Sequence, residues 1–152
     1  MNLKTLLLLL SALLLAACSG HRSPVVGDQP PLSFDKNQVW QLVSMRGKEF
    51  KASDGVVTLM FYPEGNAIRG LIACNRYFAD YTLRLNEVTP EGTRYSIKMT
   101  DLSGGDVQCP EGDMAVQERY LALLEKADAC LLTPYMLTLF RGGKETLKFE
   151  LQ

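Results

Sequence analysis

The chain has 152 residues, with 17 acidic and 16 basic side chains, one histidine and a formal charge of −1. No basic stripe with interleaved aromatics is present, which speaks against a nucleic-acid binder. The single histidine, His21, precedes every patterned segment and reads as a solvated side chain, so no histidine is available to a catalytic or metal-binding constellation inside a folded domain.

Residues 1–17 carry one positive charge, Lys4, and then an apolar block at 6–15. About ten apolar residues fall short of the roughly twenty that span a bilayer, so the block reads as the core of a secretory signal. Leu15-Ala16-Ala17-Cys18 has the form of a bacterial lipobox, whose cysteine is acylated when the signal is cut. An ordinary signal peptide with a cysteine nearby fits less well, because small residues precede Cys18 and polar Ser19-Gly20 follow it. Several acyl chains at Cys18 make a durable anchor, since each buried methylene contributes about 0.8 kcal/mol. Ser19, rather than Asp, at the next position points to the outer membrane, with the domain facing the periplasm.

Residues 18–31 are rich in Gly, Ser and Pro and read as the lipidated cysteine and a flexible tether. Fully extended, the tether reaches at most roughly 45 Å. Residues 32–152 are long enough to bury the core of one domain. All 17 acids and 15 of the 16 bases follow residue 17, so the exported part carries −2 (15 minus 17). It holds no second apolar run long enough for a membrane span, and attachment rests on Cys18.

Strand signals follow in quick succession. Residues 39–43 form the first, ended by the turn-prone Arg46-Gly47-Lys48. Residues 56–62 and 67–73, separated by Pro63-Glu64-Gly65-Asn66, predict a hairpin. Cys74-Asn75 reads as the next corner, because asparagine tolerates left-handed backbone and bonds nearby main chain. Beyond it Tyr77, Ala79, Tyr81, Leu83 and Leu85 alternate with Phe78, Asp80, Thr82 and Arg84 at period two, and Tyr95, Ile97 and Met99 alternate in the same way within 94–100. Between 113 and 126 the apolar residues Met114, Val116, Tyr120, Leu121 and Leu124 recur at helical spacing, predicting one amphipathic helix that starts between Pro110 and Met114 and ends near Asp128. Residues 130–134 return to extended chain, and 135–141 and 145–151 flank Gly142-Gly143, a strong two-residue hairpin signal. The predicted fold is α+β: a bent, mostly antiparallel sheet or incompletely closed barrel with one helix covering its open side.

The stretch Gly70-Leu-Ile-Ala-Cys-Asn-Arg-Tyr-Phe-Ala-Asp-Tyr81 resembles the G-x-x-G-C-N-x-[FY]-x-G-x-Y signature of the META (HslJ-like) domain family. The similarity continues through Trp40-Gln41-Leu42 with Gly47, Met99-Thr100, Cys109-Pro110, Glu118 with Tyr120-Leu121 and Leu124, Leu137-Thr138-Leu139, and Leu147-Lys148-Phe149. Ala73 and Ala79 replace the usual glycines, and the segment between Thr100 and Cys109 is longer than usual. The resemblance implies a compact β-rich domain, association with envelope or heat stress and antibiotic tolerance, and no established chemistry.

An exported compartment is oxidising, so Cys74, Cys109 and Cys130 are disulfide candidates, and three thiols allow three single bridges. Cys74 and Cys109 match the two cysteines of the META motif and lie in corners, so the resemblance favours that pair. Cys130, in Ala129-Cys130-Leu131-Leu132, reads as a small buried hydrophobe.

No C-x-x-C pair, G-x-S-x-G or phosphate-binding glycine loop occurs. Asp101, Asp106, Glu111 and Asp113 cluster without calcium-loop spacing. A glycosidase-like carboxylate pair can be distant in sequence, and none stands out. The reading is a non-enzymatic, membrane-anchored envelope domain with no catalytic residues, metal or cofactor. Asn75 and Arg76 are the candidate binding surface; the structural alternative has Asn75 capping its own corner and Arg76 lying over Tyr77 or Tyr81. Two further readings stay open: a module for a lipid or other apolar ligand held in the barrel, and an interaction protein of the pilotin or hydrolase-inhibitor type.

Overall fold

The computed structural model describes residues 30–152. The signal, Cys18 and most of the tether lie outside the described residues.

Among the described residues nine strands and one long helix follow one another: β1 (Trp40–Met45), β2 (Lys48–Glu49), β3 (Thr58–Tyr62), β4 (Ala67–Ile72), β5 (Asn75–Thr89), β6 (Gly92–Gly104), α1 (Glu111–Glu125), β7 (Ala129–Leu132), β8 (Met136–Arg141) and β9 (Lys144–Leu151). Each strand pairs antiparallel with its neighbour, and β1 also pairs with β9, from Trp40 opposite Leu151 to Met45 opposite Leu147. That pairing closes a barrel of eight strands, β1 and β3 to β9, and corrects the expectation of an incompletely closed one. β2 stands outside the ring and pairs with the end of β1 that β3 does not reach. Alternation identifies strands but carries no information on whether the first and last meet. Closure satisfies two edges that would otherwise be open to other chains.

Local rules account for most turns. Arg46 and Gly47 both have positive φ (53° and 73°), as do Gly142 and Gly143 (54° and 76°), the left-handed pair that a two-residue hairpin turn requires. At the β4–β5 corner Ile72 pairs with Asn75, so the turn is Ala73-Cys74, and the left-handed residue is Ala73 (φ 52°) rather than Asn75. Glycine is usual there in the family because it takes that conformation without a Cβ penalty.

Bulges decide which side chains face in. Leu42 pairs with Phe149 and Ser44 with Lys148, leaving Val43 as an extra residue. Trp40, Leu42 and Met45 therefore point inward, out of strict period two. A second bulge lies where Phe78 and Asp80 face Ser103 and Thr100, with Asp101 at φ 53°. Tyr77, Ala79 and Tyr81 are buried as expected, whereas Leu85 is exposed.

An eight-stranded barrel is wide enough to be filled by side chains. Here it holds Trp40, Phe61, Tyr77, Tyr120 and Phe149, all fully buried. One end is plugged by α1, through Tyr120, Leu123 and Leu124. Phe34 stacks on Phe61 (centroids 3.7 Å apart) and meets Trp40 edge-on, so the segment entering the domain packs on the core. That segment is held by Leu32, whose N–H donates to Thr93 Oγ1 (2.8 Å) and whose carbonyl accepts from the Tyr95 hydroxyl.

Candidate functional site

The β4–β5 corner is tied to the segment preceding α1 by a disulfide between Cys74 and Cys109, whose Cα atoms are 5.9 Å apart. Closing 35 residues restricts the unfolded chain by about 4 kcal/mol on the loop-entropy account. Among the described residues Cys130 is the free cysteine; it is buried, and burial pushes its thiol up to about 12.

Asn75 does not belong to the surface expected of it. It is 2% exposed, because the first residue of β5 faces inward beneath the turn. Its Nδ2 donates to the Val107 carbonyl (2.9 Å) and to Gln117 Oε1 (2.9 Å), and lies 3.4 Å from Cys109 Sγ. Its Oδ1 accepts from Val107 N–H (3.1 Å). Gln117 Nε2 in turn donates to the Gly105 carbonyl (3.3 Å). A Cβ on Gly105 would stand 2.5 Å from Asn75 Oδ1, so glycine is required where the loop crosses that amide. The asparagine therefore caps neither its own corner nor a ligand; it joins the corner, the 105–109 segment and the helix.

Tyr77, two residues on, lies beside Gly70, where a Cβ would come within 2.5 Å of its ring and 2.0 Å of the Thr58 carbonyl. Its hydroxyl donates to Thr58 O (2.7 Å) and stands 2.6 Å from that of Tyr120. Burial raises both phenols well above their ordinary range. Both stay neutral under ordinary conditions and serve as hydrogen-bonded wedges between α1 and the strands.

Arg76 is exposed and faces away from Tyr77 and Tyr81, since adjacent strand residues point to opposite sides. It does not lie over either ring. On that outer face β4 and β5 set Arg69 opposite Phe78 and Leu71 opposite Arg76, with Asp80 beyond. Phe78 is 58% exposed and Leu71 is also exposed. The Arg69 guanidinium sits 5.0 Å from the ring centre of Tyr62 on β3. A shallow cleft of about 650 Å³ runs along these side chains. A second cleft of about 700 Å³, between β2 and the start of α1, mixes Arg46, Lys48 and Arg119 with Glu49, Asp54 and Asp113. Among the described residues no group of three or more His, Cys, Asp or Glu side chains is placed to hold a metal.

The META domain model matches residues 31–152, nearly the whole described chain. The chain belongs to the META domain family. Its fold is similar to an NMR structure of a protein from Burkholderia xenovorans, with a TM-score of 0.57, 20% identity, and 86% of this chain and 97% of that one covered. A second NMR structure gives a TM-score of 0.53 at 20% identity, covering 76% and 89%. A comparison with curated proteins finds no match.

The META signature can now be read position by position as the construction of one corner. Gly70 admits the Tyr77 ring, position 73 takes the left-handed turn, Cys74 forms the bridge, and Asn75 gathers the loop. Tyr77 reaches the helix, and Tyr81 meets Phe61 edge-on. Gln117 and Gly105 escaped the sequence reading. Gln117 does carry a signal, because it stands three, four and seven residues before Tyr120, Leu121 and Leu124, on the apolar stripe where a polar residue needs a partner. Phe78, an apolar residue on the polar side of an alternating strand, was the corresponding signal for the outer face.

Proposed function

We propose that this META domain is the periplasm-facing part of an outer-membrane lipoprotein anchored through Cys18, and that it works by binding a protein partner rather than by turnover. The observation that carries the reading is the outer face of β3, β4 and β5, where Leu71 and Phe78 lie exposed between Arg69 and Arg76. Apolar side chains on a rigid sheet, flanked by cations, suit a partner surface that is apolar at its centre and acidic at its rim. A sheet held by a disulfide and a buried amide loses little entropy on binding. The role follows the family: a part in envelope stress and antibiotic tolerance, without cofactor or catalytic residues. The apolar-ligand reading gains no support, since the barrel is occupied by its own rings.

Two experiments test this. Labelled fatty acid should enter the wild-type chain and not Cys18→Ser; no incorporation into wild type would refute the anchor. A photo-crosslinker at position 78 should join a discrete envelope protein in cells, one at position 148 should not, and Arg69→Glu with Arg76→Glu should abolish the product while leaving thermal unfolding unchanged. Equal crosslinking from both positions would refute the surface.

A further inference from the structure

We infer that the Cys74–Cys109 bridge is a thiol-exchange site of fixed polarity, in which Cys74 receives an incoming thiolate and Cys109 leaves. The two sulfurs of this disulfide occupy unlike settings. Cys74 sits on the exposed turn, two residues before exposed Arg76, so a thiolate can reach it from solvent. Cys109 is only 6% exposed and is shielded beneath the corner. The buried amide nitrogen of Asn75 stands 3.4 Å from Cys109 Sγ but donates its two hydrogens to Val107 O and Gln117 Oε1, so the difference in access between the two sulfurs sets which one leaves. Cys109 also directly precedes Pro110, the N-cap of the 15-residue α1, at the positive end of its dipole, partly offset by Glu111 and Asp113 in the first turn.

Exchange balances with a dithiol as reductant. One thiolate of the dithiol attacks Cys74 Sγ; the S–S bond breaks, and its electron pair goes to Cys109 as thiolate. The second thiolate then attacks the dithiol's own sulfur in the mixed disulfide and expels Cys74. The dithiol ends as a disulfide, and its two protons pass to Cys74 and Cys109. The fold does not depend on the bridge alone to hold the 105–109 segment, because the Asn75 bonds to Val107 and Gln117 remain. Reduction is therefore local and reversible, and the inference does not rest on the partner surface proposed above.

The test uses the full-length oxidised wild-type protein, glutathione as a monothiol probe, acid quenching and peptide mapping. The glutathione adduct should be found on Cys74 in about tenfold or greater excess over Cys109, with the near-ultraviolet circular dichroism of the fold retained. Adducts shared equally or placed on Cys109 would overturn the polarity. Reaction only at the rate of global unfolding, or reaction accompanied by loss of the near-ultraviolet signal, would overturn the site and leave the bridge a structural staple.

Discussion

The hydroxyls of Tyr77 and Tyr120 lie 2.6 Å apart in the core, and Tyr77 donates its own hydrogen bond to the Thr58 carbonyl. The chain of donors runs from helix to β5 to β3, so the two phenols are not equivalent. Tyr120→Phe removes one donor and leaves Tyr77 bonded to Thr58, at a cost of about 1 kcal/mol. Tyr77→Phe deprives both Thr58 O and the Tyr120 hydroxyl of their partner, at a cost of about 2 to 4 kcal/mol. Urea unfolding of the two variants should show that order, and the reverse order would mean that the donor direction is wrong.

The same burial predicts an alkaline limit. Tyr77, Tyr120 and Cys130 all have folded pKa values above their ordinary ones, so above pH 9 to 10 the unfolded state loses protons that the folded state keeps. Stability is thus fully present below pH 9 and falls as pH rises, approaching about 1.4 kcal/mol per pH unit for each group in its window. Cys130 enters first, between its ordinary 9.0 and about 12. Urea midpoints measured from pH 7 to 11 should decline from about pH 9, and Cys130→Ala should shift the onset toward 10. A pH-independent midpoint would contradict the burial of these groups.

Asn75 and Arg76 are neighbours with opposite expectations. Asn75→Ala orphans Val107 N–H and Gln117 Oε1 and should cost about 2 to 4 kcal/mol. Arg76→Ala, on the exposed side, should stay within about 0.5 kcal/mol of wild type. Thermal unfolding separates them. Loss of stress survival in cells carrying the stable Arg76→Ala variant would tie the outer face to function, and unchanged survival would remove Arg76 from it.

Ala73→Gly should stabilise the domain by about 0.5 to 1 kcal/mol. A left-handed alanine costs about 1 to 2 kcal/mol, and glycine returns part of that gain through the freer unfolded chain. Gly70→Ala should do the reverse and more strongly, since its Cβ would meet the Thr58 carbonyl at 2.0 Å, and the Tyr77 ring has no room to yield. Differential scanning calorimetry of both variants checks the pair.

By itself the sequence determined the helix and every strand segment but β2, the Gly142-Gly143 turn and the inward side of β6, because these depend on side-chain period and on local φ preferences. It also held the META signature, whose residues turn out to build one corner. Only the tertiary structure decided that β1 and β9 meet, that Val43 bulges so that Met45 turns inward, and that Asn75 points away from solvent. The paired groups there are far apart in sequence: Asn75 meets Gln117 across 42 residues, Tyr77 meets Tyr120 across 43, and Trp40 pairs with Leu151 across the whole domain. Local pattern constrains which way a side chain leaves its own strand. What it then meets is set by the closure of the barrel and the seating of the helix, which no short stretch of chain encodes.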